Sequence, residues 1–370
     1  MHDKPSRSDT PPAWATRHDA RAPGPWSLTV DVVGLAADPE RADLQALLIT
    51  RRTPPFEGME AWPGGFVDPE NDRDPLQRAL LELVEETGHA GPDYVEELHA
   101  YDTYGRDPRQ FAGYRDPATN GWVTTGSRVV SKAYLAIFRK PGPGLQTTRL
   151  AFDTMGAHWM SVYTYLPWED LRSPGARATL SRLTRALHQW AKQSGGRSAR
   201  DVTSRINALF SVDQWNEEQA DERWRLLVQA RLVEEAHRDR WGRVEGKPSL
   251  PPAGRTLAFD HRTMLADAIA AFRRMIKDRP KVVQALVGDD FRLSELQSTF
   301  EAVGGRPLYR ANFRRALLRE PLPLLEATGE KLHMPGPGKP ADLFRVQDRV
   351  EESRRDYPLN LPWSRGDPET

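Results

Sequence analysis

Short apolar runs with the spacing of strands fill the chain from Trp26 to about residue 171. Ser27–Val33 alternates polar and β-branched residues, and Leu44–Thr50 is a more continuous apolar run. Both patterns are typical of strands in a sheet that is buried on at least one face. Further strands are predicted at Ala61–Val67, Glu96–Thr103, Ser127–Phe138 and Ala157–Val162.

One amphipathic helix is predicted among these strands, over residues 75–87, where leucine and valine recur at helical spacing. Asp74 suits the N-cap position, Pro75 the first helical position, and Gly88 the C-terminal cap. Strands with a helix among them predict an α+β domain over residues 26–171.

Beyond residue 171 the hydrophobic spacing becomes helical. Residues 172–256 combine this spacing with mixed charge, which predicts a helical insert or linker. Residues 257–347 are predicted to run helix, helix, short strand, helix, turn, helix and hairpin. Residues 1–25 lack an apolar stretch and are rich in Pro, Arg and Ser, so they are interpreted as a disordered leader. Residues 348–370 are expected to form a C-terminal tail.

Three carboxylates lie on one side of the predicted helix 75–87. Glu82, Glu85 and Glu86 stand at i, i+3 and i+4. Oxygen ligands at this density suit Mg²⁺ or Mn²⁺, which in turn bind diphosphates. The alternative is a solvated acidic face on a surface helix.

The residues around these glutamates favour the metal interpretation. Trp62–Val67 followed by Leu81–Gly88 resembles the Nudix box, and the resemblance covers about residues 26–170. It implies an α/β/α sandwich in which Glu82, Glu85 and Glu86 are catalytic residues and metal ligands. Candidate ligand contacts beside the box are Arg52, Trp62, Gly65 and Arg73.

This chain departs from the Nudix pattern at the positions that brace the catalytic loop. Leu81 stands where the family has Arg, Arg73 stands where it has its other Glu, and the loop before Glu82 is two residues longer. Glu70, Asp72 or Asp74 could replace the missing Glu if the longer loop folds back. Because a loosely held constellation loses orientation and rate, whether hydrolysis survives is left open.

The segment near the C-terminus has an excess of positive charge. Between Gly305 and Arg345 there are eight cations and four anions, a net charge of +4. The predicted helix 308–320 has an apolar back and an arginine front, which is the pattern of a recognition helix. The alternative is an ordinary amphipathic helix with a solvated face. The DNA-contacting candidates are Arg306, Arg310, Asn312, Arg314, Arg315, Lys331 and Lys339.

Three short sequence segments in this region favour the recognition helix over an ordinary amphipathic helix. They are Phe291–Gln297, Gly305–Leu308 and Asn312–Arg315. Together with Leu257–His261 they resemble the winged helix of Nudix-related transcriptional regulators of NAD metabolism. The resemblance implies operator DNA and a nucleotide effector such as ADP-ribose or NAD as partners. It also implies a homodimer on a palindromic site.

Composition adds a few constraints. The 52 Lys and Arg balance the 52 Asp and Glu, which excludes a uniformly basic protein but not a basic module beside an acidic one. With no cysteine, disulfides and thiolate metal sites are excluded, and a cytoplasmic protein is expected. No apolar run is long enough for a membrane span. Trp215, Trp224 and Trp241 in the insert are interpreted as helical core or, alternatively, as a partner or dimer surface.

Two functional hypotheses follow. The first is a DNA-binding regulator, expected to be a repressor, whose degenerate Nudix domain senses a nucleotide. The second is a Mg²⁺-dependent Nudix hydrolase of ADP-ribose or a related nucleoside diphosphate derivative. A protein-interaction scaffold built on the insert is a third possibility.

Overall fold

The structure, a computed structural model, describes residues 26–115, 122–124, 128–139, 154–193, 196–244, 253–318, 323–333, 340–347 and 358–363. Within these ranges the fold is α+β, as the sequence predicts. The predicted leader and Lys339 lie outside the described residues.

A mixed sheet of seven strands organises the first part of the chain. Its central strand β1 (Trp26–Asp38) pairs in parallel with β8 (Arg128–Phe138) and antiparallel with β2 (Asp43–Arg51). Four shorter strands complete the sheet: β3 (Glu60–Ala61), β4 (Gly64–Phe66), β5 (Tyr94–Tyr101) and β9 (Thr154–Ser161). A separate hairpin is formed by β6 (Gly113–Arg115) and β7 (Trp122–Thr124). The predicted strand Ala61–Val67 is thus two strands that flank Trp62 and Pro63.

Helix α1 (Pro75–Thr87) covers one face of the sheet, with the bounds that the sequence predicts. The Asp74 side chain accepts a hydrogen bond from Leu76 N at the helix start, and Gly88 ends the helix in the left-handed conformation. Side chains of β1 alternate between faces, so Val30 and Val32 pack with Ala79 and Leu83 of α1.

The opposite face of the sheet is covered by helices from the C-terminal part of the chain. These are α5 (His261–Asp278), α6 (Pro280–Val287) and α7 (Leu293–Gly304). Helix α7 contacts β1 and β2, and α6 contacts β8. Val33 and Leu35 of β1 therefore share one hydrophobic core with the C-terminal helices. The α/β/α layering depends on segments that are far apart in sequence.

The predicted insert contains α2 (Pro174–Gln193), α3 (Gly196–Phe210) and α4 (Ala220–Gln229). It packs into the same core instead of forming a separate unit. Trp215 and Trp224 are buried, and Trp168 stacks on Trp224 with ring centroids 6.3 Å apart. Trp241 is partly exposed and packs edge-on against Phe111.

A buried ion-pair triad joins three parts of the chain. Glu169 follows the sheet, Arg223 lies on α4 and Arg273 on α5, and all three side chains are inaccessible to solvent. Arg223 donates two hydrogen bonds to Glu169, 2.6 and 2.8 Å long, and Arg273 donates one of 2.6 Å. Burial opposes ionisation, but the charges of Arg223 and Arg273 outweigh it and lower the pKa of Glu169.

The C-terminal unit has the order of a winged helix. Strand β10 (Phe291–Arg292) precedes α7, and α8 (Arg310–Leu318) precedes the hairpin of β11 (Leu325–Leu332) and β12 (Ala341–Val346). These strands form a sheet in the order β10-β12-β11. Helix α7 begins at Leu293, and its N-cap residue is Arg292.

Part of the predicted tail is packed against this unit. Leu359 and Leu361 are buried, and Leu308 forms a β-bridge with Trp363. A Cβ on Gly304 would lie 2.1 Å from the Trp363 ring, so this close approach requires glycine. Residues 358–363 are therefore part of the fold and not a free tail.

Candidate functional site

A cavity of about 350 Å³ opens between the sheet and the start of α5. Its walls come from β1, β4, α1, the loop after β5 and the segment before α5. Four arginines and three carboxylates line it together with His261: Arg51, Arg78, Arg106, Arg109, Asp31, Glu82 and Asp107. This volume and this density of charge suit a small polar ligand.

The two glycines of β4 allow the backbone to pass close to buried groups. A Cβ on Gly64 would lie 2.2 Å from the carbonyl oxygen of Val30. A Cβ on Gly65 would lie 1.9 Å from Glu82 Oε1. Both contacts are too short for any side chain, so Gly65 belongs to the pocket because it leaves room for the Glu82 carboxylate.

Arg78 holds the acidic face of α1. Its guanidinium contacts the carboxylates of Glu82, Glu85 and Asp72, with the last two at 3.7 and 3.9 Å. Burial opposes the charge of Arg78, but its carboxylate neighbours outweigh burial and raise its pKa. The longer loop does fold back, and it is Asp72 that reaches the helix, whereas Asp74 caps the helix.

The three glutamates of α1 make different contacts. Glu82 faces Arg78, Glu86 accepts a hydrogen bond of 2.7 Å from Gly64 N, and Glu85 is exposed. Among the described residues no group of three metal-binding side chains is found. The donor set does not fit a resident Mg²⁺ or Mn²⁺, because Arg78 already supplies the positive charge that the carboxylates require.

Asp31 is a buried carboxylate in the wall of the pocket. It accepts a hydrogen bond from Ser131 Oγ and lies 4.0 Å from Arg106. Burial raises its pKa to about 6, against the opposing charge of Arg106.

His261, the first residue of α5, is neutral. Its Nδ1 accepts a hydrogen bond of 2.9 Å from Trp62 N, so the ring proton is on Nε2, 3.4 Å from Asp31. Burial and the nearby arginines, Arg106 foremost, lower its pKa well below the ordinary value. The Trp62 indole in turn donates to the carbonyl of His261 at 3.0 Å. Trp62 is thus buried, and its two hydrogen bonds to His261 connect the Nudix-like box to α5.

A bidentate ion pair makes a second tie. Arg106 donates to both carboxylate oxygens of Asp260, with distances of 2.9 and 2.7 Å. Asp260 is the N-cap residue of α5. The pocket loop and the first turn of α5 are therefore held together by a charge-assisted pair.

Arg51 and Arg109 bring positive charge to the pocket beside an aromatic ring. Their guanidinium groups lie 4.9 and 5.3 Å from the centroid of Phe259, and Arg109 also lies 4.4 Å from the Phe66 ring. Arg109 is oriented by a bidentate pair with Asp107. Such an arrangement offers charge and a flat apolar surface to the same ligand.

Two of the four predicted ligand contacts lie outside this cavity. Arg52 and Arg73 are exposed and do not line the cavity, whereas Arg51 and Arg78 do. Strand alternation explains why Arg51 and not Arg52 faces the cavity, because neighbouring residues of a strand point to opposite sides. The cavity is also lined by four residues that the sequence does not predict: Asp31, Arg106, Arg109 and His261. Their segments resembled the family, but no local pattern indicated that residues this far apart meet.

The helix α8 presents a polar front and an apolar back. Phe313 and Leu317 are buried, while Arg310, Asn312, Arg314 and Arg315 are exposed. Arginine and asparagine at such positions suit base edges and phosphates. That these four residues contact DNA stays a prediction.

Arg306 is a correction to the predicted contact surface. It is buried, donates to the carbonyl oxygen of Trp215 at 3.2 Å and lies 4.0 Å from Glu217. Burial lowers its pKa. It positions the turn between α7 and α8, whereas Lys331 is exposed on the hairpin and paired with Asp342 at 3.6 Å.

Comparison with protein families identifies the C-terminal unit. Residues 283–346 match the NrtR DNA-binding winged helix domain. A curated relative from Acinetobacter baylyi, the ADPR responsive transcriptional repressor NtrR, is 39% identical over 82 residues. That match spans 22% of this chain and 32% of the relative, so about a third of the relative's length is covered.

Comparison with solved structures extends over most of the chain. A MutT/nudix family protein from Enterococcus faecalis is similar with a TM-score of 0.50 and 21% identity, covering 90% of this chain and 91% of that protein. The structure of Shewanella oneidensis NrtR complexed with a 27mer DNA has a TM-score of 0.46 and 21% identity, covering 90% and 98%. The chain thus combines a Nudix-type fold with an NrtR-type winged helix, as its motifs predict. Among the described helices, none is long and apolar enough to cross a membrane.

Proposed function

We propose that this protein is a transcriptional repressor that binds operator DNA through its winged helix and senses ADP-ribose or a related nucleotide in the Nudix-type pocket. The observation that carries the proposal is that residues of the Nudix-type sheet and residues at the start of α5 line the same pocket. Asp31 and Arg106 come from the sheet and its loop, and Phe259 and His261 from the segment that starts α5.

The pocket chemistry suits a nucleoside diphosphate. Arg51 and Arg109 supply charge for the diphosphate, and Phe259 supplies an aromatic surface beside it. An adjoining cavity of about 360 Å³ shares Arg106 and Phe259 with the pocket and is lined by Tyr104 and Trp224. Its aromatic lining suits the flat base of the same ligand.

Contacts within the core can couple ligand binding in the pocket to DNA binding by the winged helix. A ligand that changes the Arg106–Asp260 contact acts on the first turn of α5, and α5 contacts α7 of the helix-turn-helix. Ligand and DNA affinity are then coupled, and each changes the other by the same factor. The relative from Acinetobacter baylyi is an ADPR-responsive repressor by name, which supports ADP-ribose as the effector in this proposal.

The test measures binding of a labelled promoter fragment from the protein's own operon, with and without ADP-ribose or NAD. Sequence-specific, salt-sensitive binding that ADP-ribose or NAD changes supports the proposal. The Arg314→Glu/Arg315→Glu variant should lose DNA binding while keeping its melting temperature. Absence of specific binding by the wild-type protein contradicts the proposal. We further propose a cytoplasmic homodimer on a palindromic site, which sedimentation of the protein with its operator tests.

The hydrolase alternative is tested with the same ligands. Wild-type protein and Glu86→Gln are incubated with ADP-ribose and Mg²⁺ or Mn²⁺, and the products are separated by chromatography. Because Arg78 and Gly64 hold Glu82 and Glu86, we expect no turnover above the Glu86→Gln level.

A further inference from the structure

The helical hairpin of α2 and α3 is strongly basic. Between Pro174 and Phe210 the chain has seven Lys and Arg and one acidic residue, Asp201, a net charge of +6. This exceeds the +4 of the segment from Gly305 to Arg345. A chain with zero total charge therefore carries two basic surfaces, of which the winged helix accounts for one.

Three of the four cations of α2, namely Arg177, Arg185 and Lys192, fall on one side of the helix. Ser181, Arg185, His188 and Lys192 are spaced by four, three and four residues, which places them in one row. The row borders an open groove of about 540 Å³ whose floor includes Leu180 and Phe210. Hydroxyl, imidazole, guanidinium and ammonium groups thus line one continuous surface.

These cations are directed to solvent. Arg185, Lys192, Arg200 and Arg205 are exposed, and none of them forms a salt bridge within the part of the chain that the structure describes. Unpaired like charges on neighbouring helices repel each other and destabilise the hairpin slightly. A polyanionic partner would relieve that repulsion.

The hairpin is attached beside the turn of the helix-turn-helix. Leu171, three residues before α2, donates a hydrogen bond of 2.7 Å to the carbonyl oxygen of Gly305. A Cβ on Gly305 would lie 2.1 Å from the carbonyl oxygen of Glu169, so the two backbones are in direct contact. Gly305 lies in the turn that leads to α8, so the base of the hairpin is close to the proposed DNA surface.

We propose that the α2–α3 hairpin binds the phosphate backbone of duplex DNA that flanks the sequence read by α8. The row from Arg177 to Lys192 extends over about 22 Å at 1.5 Å per residue. Cations spread over this length suit a polymer with regularly spaced phosphates, whereas a single phosphate group needs converging cations. The inference rests on the proposed function, since it requires an operator for α8.

The experiment compares Arg185→Gln/Lys192→Gln with the matched control Arg41→Gln/Arg240→Gln, which removes two exposed cations outside the hairpin. Operator affinity is measured at several salt concentrations, with duplexes of increasing flank length. Each lost phosphate contact reduces the slope of log K against log salt by about 0.9, so the hairpin variant should be shallower by up to about 1.8. Its affinity should also stop rising with flank length, whereas the control should behave as wild type.

The outcomes separate the two proposals. If the wild-type protein shows no specific binding to any promoter fragment, the proposed function fails. If it binds specifically, but the hairpin variant keeps the wild-type salt slope and flank dependence, the hairpin proposal is overturned. A change of oligomeric state in the hairpin variant with an unchanged salt slope would assign the surface to self-association and also overturn it. Equal melting temperatures of the variants exclude a folding defect.

Discussion

Arg106 and Asp260 form a bidentate ion pair between the ligand pocket and the N-cap of α5. The pair is mostly shielded from solvent, with side-chain exposures of 3% and 21%. Asp260→Asn keeps the shape but removes the charge. If the pair transmits the ligand signal, the ratio of DNA affinities without and with ADP-ribose should fall severalfold towards one, as measured by fluorescence anisotropy.

Asp170→Asn is the matched control for this variant. It weakens another bidentate pair, with Arg172, that does not line the pocket. The ratio in this control should equal that of the wild type. An unchanged ratio in Asp260→Asn would show that the signal takes another route.

Arg78→Gln tests whether arginine replaces the metal on α1. The substitution removes the positive charge that Arg78 brings to the carboxylates of Glu82 and Glu85. We expect Mg²⁺ or Mn²⁺ to raise the melting temperature of this variant by mass action, and to have little effect on the wild type. The control is Arg73→Gln, which removes an exposed arginine in the preceding loop. Strong metal stabilisation of the wild type would contradict the assignment.

The local elements of the chain could be predicted from its sequence, but their assembly could not. The capped helix α1 was placed at its exact bounds because Asp74, Pro75 and Gly88 mark its ends. The site was only partly foreseen, because Arg106 meets Asp260 across 154 positions of sequence. Periodicity reports which face of an element is apolar, but it carries no information on which distant element covers that face.

Gly65→Ala should disable the pocket without affecting the DNA surface. The added methyl group would lie 1.9 Å from Glu82 Oε1, so the carboxylate or the strand must move. We expect loss of the ADP-ribose thermal shift, with ligand-free operator affinity unchanged. Gly175→Ala is the control, since nothing lies within 4 Å of its Cβ position. Retained ligand binding in Gly65→Ala would place the ligand elsewhere.

Glu169→Gln should destabilise the whole protein. It leaves Arg223 and Arg273 buried without their counter-charge, and breaking a buried pair costs about 3–5 kcal/mol of unfolding free energy. Urea denaturation measures this loss. The control Asp342→Asn breaks an exposed pair with Lys331, for which a loss of about 0–1 kcal/mol is expected. Equal effects of the two variants would show that the triad is not a structural tie.

The stabilisation by Glu169 should depend on pH with a definite sign. Its pKa in the folded protein is lowered below the ordinary value of 4.5. Its contribution is therefore fully present above pH 4.5 and is lost as the pH falls through the folded pKa. The difference in unfolding free energy between wild type and Glu169→Gln should narrow in that acidic range. A difference that persists unchanged would show that the ionised carboxylate is not its source.

Asp31 should make ligand binding stronger in mildly acidic solution. Its pKa is raised from 3.8 to about 6, so protonation favours the folded form, an effect fully present below pH 3.8 and lost as the pH rises through about 6. A bound diphosphate would repel the ionised carboxylate, since both are anionic. ADP-ribose affinity, measured by calorimetry, should therefore fall by up to about tenfold per pH unit above 6.

Asp31→Asn should flatten this pH profile and bind ADP-ribose more tightly than wild type at pH 7.5, because the asparagine is neutral at every pH. A wild-type profile that is already flat between pH 5 and 7.5 would place the diphosphate away from Asp31.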